Sequence, residues 1–340
     1  MNNHLHANGR YALLQGVIME AQGERGSDMG DVARIGRRSA IGLAVQLLAI
    51  TALAVITSVP AFGAPPINKT GGHKTTPTGY DISYPQCGES FPSNGAFGIV
   101  GINDGLANNL NPCFAPDPSY SQSELYWAFA TSSGDTSQPK VSLYANTADP
   151  GNLYNGAPVA DWPTSGTTPY GTCTTISDGA STIGENSPAC AYQYGFNKAS
   201  QDAAWLTQAA EAINGQSPPD PMSTLPGSYV WWLDVETSNT WQSGTSGLTM
   251  NVADLQGMIA ALETDGVPAG AVGAYSTSSQ WSTVVGVTTA ASGSLWQLLD
   301  WIPGARTLTG AIANCALPSF TGGVVSVTQW TARSDGDYAC

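Results

Sequence analysis

The sequence predicts an α/β protein: a single TIM-like β/α barrel with disulfide-pinned loop insertions. Three observations predict it. Strand-like apolar runs alternate with helical spacings over roughly 260 residues, the pattern of a parallel sheet with helical crossovers. The runs are continuously apolar, as in strands covered on both faces. Polar residues gather just past their C-terminal ends, at Asn103, Asp104, Asn146, Asp234, Glu236, Ser276 and Gln329. In a β/α barrel that end holds the working site.

Taken in order, Tyr80-Asp81-Ile82-Ser83 reads as a short first strand and Ala96–Ile102 as a buried second one. A helix is expected over Ser121–Ala130, then a third strand at Val141–Tyr144. Residues 149–190 are rich in Gly, Pro, Ser and Thr and carry two cysteines, a long excursion pinned by a disulfide. Ala203, Leu206, Ala210 and Ile213 recur at helical spacing within Ala199–Ile213. Tyr229–Val235 is the expected fourth strand. Asn251–Leu262 is an amphipathic helix, with Asn251 as its cap. Strands five and six are expected at Val272–Ser276 and Leu295–Trp301, a weak seventh at Ala311–Ala313 and the last at Val324–Trp330.

The organisation is an export signal over 1–63, a linker over 64–78 and the barrel over 79–340. Arg34, Arg37 and Arg38 precede an apolar run from Ala40 to Ile56, followed by small residues that suit cleavage after Gly63. Met19 or Met29 is an alternative start, the Arg37-Arg38 pair permits twin-arginine export, and an uncleaved anchor is the competing reading. The protein is expected to be secreted, extracellular or in the cell wall. All six cysteines follow this segment, as in a disulfide-bonded exported protein. Of the fifteen pairings possible, the local one closes the shortest loops and is expected: Cys87–Cys113, Cys173–Cys190 and Cys315–Cys340.

The chain carries a net charge of −14. Beyond residue 63 its only bases are Lys69, Lys74, Lys140, Lys198, Arg306, Arg333 and His73. Nucleic acid is excluded as a partner, because phosphate contacts need Lys and Arg. The histidines, His4, His6 and His73, all precede the barrel, so it has none for a Ser-His-Asp triad or a His-ligated zinc. No metal or cofactor is expected, and the protein is expected to be a monomer.

Acid–base chemistry then falls to carboxylates. Trp231-Trp232-Leu233-Asp234-Val235-Glu236 ends an apolar run with two of them, two residues apart. Alternation along a strand points both the same way, separated by ~6.5 Å. That suits a pair sharing one sugar, one giving a proton and the other stabilising the developing cation. The competing reading is a salt-bridged or capping pair, for which this chain has few basic partners. Ten tryptophans and thirteen tyrosines offer ring faces for sugars. Trp241, Tyr275, Trp301 and Trp330 lie near strand ends and are candidate substrate contacts, with Asn103 and Gln329 as polar ones.

Four motifs in register resemble family 25 glycoside hydrolases, the Chalaropsis-type lysozymes. Gly79-Tyr80-Asp81-Ile82-Ser83-Tyr84-Pro85-Gln86 resembles their Gly-x-Asp-x-Ser-x-x-Gln opening, and Leu233-Asp234-Val235-Glu236 their Asp-x-Glu strand. Gly273-Ala274-Tyr275-Ser276 with Trp281 is similar to their fifth strand, and Gln329-Trp330 with a late Asp to their closing segment. The chain is also similar to secreted actinobacterial glycoside-hydrolase-like domains. The resemblance implies an eight-stranded barrel and cleavage of β-1,4 bonds of peptidoglycan after N-acetylmuramic acid. It implies Glu236 as general acid and Asp234 as stabiliser of the cation or partner of the acetamido group. Asp81 would tune Glu236, and Asp337 would be the last acid, with Asp335 as its rival. The chain departs from the family at Ile102-Asn103-Asp104-Gly105 and in the insert between Asp149 and Cys190. The alternatives are a non-catalytic glycan-binding or envelope-structural module on the same barrel, and a glycosidase for another polysaccharide.

Overall fold

The computed structural model describes residues 77–340 apart from 94, 106, 117, 118, 135, 178, 180 and 333. The expected export signal, its alternative starts and nearly all of the linker lie outside the described residues.

Eight strands close into a barrel in chain order. They are Thr78–Ile82, Gly98–Gly101, Val141–Asn146, Val230–Asp234, Val272–Tyr275, Leu299–Ala305, Val324–Trp330 and Gly336–Ala339, here strands one to eight. Strands one to seven run parallel. Strand eight is antiparallel to both of its neighbours, seven and one. Among the described residues five α-helices complete a mixed α/β fold: α1 (Glu124–Thr131), α2 (Pro188–Gly215), α3 (Gly244–Thr264), α4 (Ser278–Val284) and α5 (Leu308–Asn314).

The continuous apolar strands reflect two cores. Strand four sends Trp231 and Leu233 outward, to pack with Leu206, Leu255 and Ile259 of α2 and α3. Its alternate residue Trp232 points inward, where it meets Ile99, Trp301 and Val327. With Trp232 inside, Asp234 emerges on the same face at the strand's end. Gly273 on strand five makes room for this ring, since a Cβ there would come within 2.4 Å of it.

Several expected boundaries move. Strand six begins at Leu299, not Leu295, because Gln297 takes a positive φ of 65° and interrupts extension. It runs on through Pro303-Gly304, where register shifts against strand seven accommodate residues that read as a turn. Ala311–Ala313 is no strand but the middle of α5, whose first turn is capped by the Thr307 side chain. Val324–Trp330 is therefore strand seven, and the short, polar Gly336–Ala339 closes the barrel. Asn251 does not cap α3. It lies buried inside that helix, and its amide donates to the Gln242 and Val284 carbonyls, 3.0 Å each. The helix expected from Ala199 begins already at Pro188, capped by Ser187.

The three disulfides pair as expected, Cys87–Cys113, Cys173–Cys190 and Cys315–Cys340. The insert folds into three two-stranded hairpins, Leu153–Tyr154 with Ala157–Pro158, Gly166–Thr168 with Gly171–Cys173, and Thr175–Ser177 with Thr182–Gly184. Trp162, Cys173, Cys190 and Tyr194 form its small core against α2. Disulfides fit an oxidising compartment. Among the described residues, no helix is long and apolar enough to cross a membrane.

Candidate active site

A cavity of about 160 Å³ opens at the C-terminal ends of the parallel strands, lined by Asp81, Tyr144, Asp234, Glu236, Tyr275, Trp301, Gln329 and Asp335. These come from strands one, three, four, five, six and seven and from the turn into strand eight. A second cavity of about 320 Å³ lies beside Cys87–Cys113, but among the described residues that line it Glu89 is the only titratable side chain. Convergence of polar groups, not volume, selects the first.

The backbone beneath the carboxyl pair is fastened by side chains. The Asp234 carbonyl accepts from the Thr147 hydroxyl at 2.6 Å and the Asn239 amide at 3.1 Å. The Val235 carbonyl accepts from Ser276 at 2.7 Å, and the Glu236 carbonyl from the Trp241 indole at 2.8 Å. Glu236 lies just past the strand, where no ladder would hold it, so these bonds fix its direction. At its carboxylate, Gln280 Nε2 approaches Oε1 at 3.4 Å. Gln280 is itself set by a capping box with Thr277 at the start of α4.

A second line of contacts crosses the barrel. The Tyr275 hydroxyl donates to Gln329 Oε1 at 3.0 Å, and Gln329 Nε2 donates to Asp81 Oδ2 at 2.9 Å. Below, the Trp301 indole donates to Asp337 Oδ1 at 2.9 Å. Asp337 Oδ2 has no donor, and this side chain interacts with Asp81. Asp81 raises Asp337, since like charges resist joint ionisation. The Trp301 ring stacks edge-on with Tyr275 at 4.5 Å and with Tyr144 at 6.0 Å, giving the cavity an aromatic wall.

Electrostatics follow from burial. Asp81 is pushed up to about 7 by burial, with Asp335 adding to the rise and the Gln329 hydrogen bond opposing it. Asp234, only 6 % exposed, is held well above the ordinary carboxylate range by burial, then by Glu236 and Asp81. Asp337 is raised by burial and by Asp81. Asp234 Oδ1 has no hydrogen-bond partner. Protons therefore sit on buried carboxyls close to neutral pH, beside the half-exposed Glu236.

Of the residues singled out in the sequence, Asp81, Asp234, Glu236, Tyr275, Trp301, Gln329 and Asp335 meet around this cavity. The others do not line it. Asn103 is buried, its amide bonded both ways to Asn146 at the end of strand three. Trp241 holds the Glu236 backbone and packs on the outer core. The Trp330 ring covers Gly336, where a Cβ would come within 2.2 Å. Asp337 lies under the floor while its rival Asp335 lines the rim. Sequence reasoning passed over Tyr144 and Gln280. Tyr144 stands two residues beyond Ser142 on a recognised strand, and Thr277-Ser-Ser-Gln280 is a legible capping box. Among the described residues, no group of three or more His, Cys, Asp or Glu is arranged to hold a metal.

No family model, no curated protein and no solved structure matches this chain. The likeness to family 25 glycoside hydrolases rests on the four motifs alone.

Proposed function

We propose that the protein is a secreted, TIM-like β/α-barrel glycoside hydrolase that cleaves β-1,4 bonds of peptidoglycan as a muramidase does. The observation that carries this reading is the meeting of Asp234 and Glu236 with an aromatic wall in one cavity, over carboxyls that hold protons near neutral pH. One carboxyl is deep and protonated, the other half-exposed, and division of labour between two carboxyls needs such unequal surroundings.

In this mechanism the Asp234–Glu236 pair carries one proton. In the free protein, burial keeps it on Asp234. With a sugar seated against Tyr275 and Trp301, the proton passes from Asp234 to Glu236, which faces the glycosidic oxygen. Glu236 then gives that proton to the glycosidic oxygen as the C1–O bond breaks. The charge left on Asp234 stabilises the oxocarbenium ion. Water adds at C1, and its proton returns to Glu236. Asp81, tied to Gln329 and Asp337, keeps the floor of the site from accumulating a second charge.

The test is digestion of purified peptidoglycan by the oxidised protein, with products reduced and identified by mass spectrometry. New reducing-end muramic acid is the expected product. Release of peptides alone, or of nothing from walls of several chemotypes, contradicts the reading.

A further inference from the structure

We propose that the sugar ring this cavity accepts carries a free ammonium group, so that the preferred glycan contains unacylated 2-amino-2-deoxy sugars rather than fully N-acetylated ones. The proposal takes its site from the glycosidase reading and adds the substrate class.

Of the eight described residues that line the cavity, four are carboxylic acids, Asp81, Asp234, Glu236 and Asp335, and none is a base. Among the described residues the bases are Lys140, Lys198 and Arg306. Lys198 is engaged elsewhere, with Asp161 and with Asn108 at 2.7 Å. Asp234 is more than nine-tenths buried, lines the cavity and leaves Oδ1 without a donor. A buried acceptor without a partner calls for a ligand donor. The walls beside it are the Tyr144, Tyr275 and Trp301 rings, whose faces attract cations as well as apolar sugar faces. An acetamido N–H satisfies one acceptor but leaves the acidic lining uncompensated. An ammonium brings three donors and the missing charge.

The protonation of the site agrees with this. Asp81 is raised by burial and by Asp335, and Asp234 by burial, Glu236 and Asp81. An ammonium at that place takes over the role of the protons these carboxyls hold.

The test is calorimetric titration of the Glu236→Gln protein with tetraglucosamine and with tetra-N-acetylglucosamine, at about pH 6 where the amine is charged. The unacylated oligomer is expected to bind one-to-one and about tenfold or more tighter, with the advantage shrinking as salt rises. Asp234→Asn is expected to bring the two oligomers within about twofold. Asp335→Asn, at the rim, reduces the preference in part and serves where the buried variant does not fold. Equal or tighter binding of the acetylated oligomer overturns the proposal. So does a preference unchanged in both variants, which is what diffuse attraction to an acidic surface gives. Binding needs no turnover, so the two claims fail separately. Cleavage of peptidoglycan without the ammonium preference removes this inference alone, and the preference without cleavage removes the glycosidase alone.

Discussion

Among the described residues buried acids gather in two clusters, and only one of them is built like a site. At the barrel mouth Asp81, Asp234 and Glu236 line a cavity, with Asp337 beneath its floor. Behind the insert, Asp149, Asp202 and Asp254 lie between α2, α3 and the hairpins, each at most 3 % exposed. Burial raises the carboxyls in both groups, Asp149 to about 6 and Asp254 and Asp202 well above the usual range. Both groups also contain carboxylate oxygens without donors. The second group, however, has a cation, Lys198, which lowers Asp202 and Asp254, and its acids are sealed under helices. Buried acid and raised pKa thus do not single out a working site. Convergence of several strand ends on a space that a ligand can enter does.

Variants can break that comparison, beginning with the largest effect. Glu236→Gln is expected to lower turnover by about a thousandfold, the scale of a lost general acid, with the circular dichroism unchanged. Removing Cys315–Cys340 frees strand eight, which carries Asp337, and removing Cys173–Cys190 frees the insert. Each is expected to cost about 2–4 kcal/mol in denaturant melts. Below the melting transition, only the first is expected to lower activity.

The pH dependence of stability follows from the raised acids. A carboxyl with a higher pKa folded than unfolded gives stability that is complete below its unfolded value and lost as pH rises through the folded one. For Asp149 the window runs from 3.8 to about 6, and for Asp81 from 3.8 to about 7. Glu124, buried against Asn111, adds a window from 4.5 to about 7. The melting temperature is expected to fall between about pH 4 and pH 8, and Asp149→Asn to flatten the slope by ~1–3 kcal/mol. A melting temperature that climbs across that range contradicts the assignment. The smallest effect belongs to Gln329→Ala. It removes the donor that holds Asp81 down, so the limb of the activity profile due to Asp81 moves to higher pH, with a loss of only a few-fold in kcat/KM.

Much of this was legible before any coordinates. Strand period and apolar continuity located seven of the eight strands, though what was expected to be the last is strand seven and the boundaries of strand six moved. Alternation along strand four placed Asp234 at the cavity, and Glu236, just past the strand, reaches the same cavity through the side chains that hold its backbone. Loop length alone gave the three disulfides. Strand eight escaped notice because Gly336-Asp337-Tyr338-Ala339 has no apolar run, and its pairing depends on barrel closure, a nonlocal event. Its antiparallel direction also decides that Asp335 reaches the rim while Asp337 goes under the floor, which spacing from Gln329 cannot tell. Asn103, Trp241 and Trp330 looked like ligand contacts because polar and aromatic residues at strand ends often are. Here their polar atoms or ring faces are used by the protein's own backbone. The hairpins of the insert are only two or three residues per strand, too short for periodicity to register.

The most direct measurement is turnover of labelled peptidoglycan by four matched variants at equal folded fraction: Asp234→Asn and Glu236→Gln at the mouth, Asp149→Asn and Asp254→Asn behind the insert. The account predicts loss of about a hundredfold or more for the first two and change within about twofold for the others. Equal losses across all four, or retained turnover in the mouth variants, would contradict it.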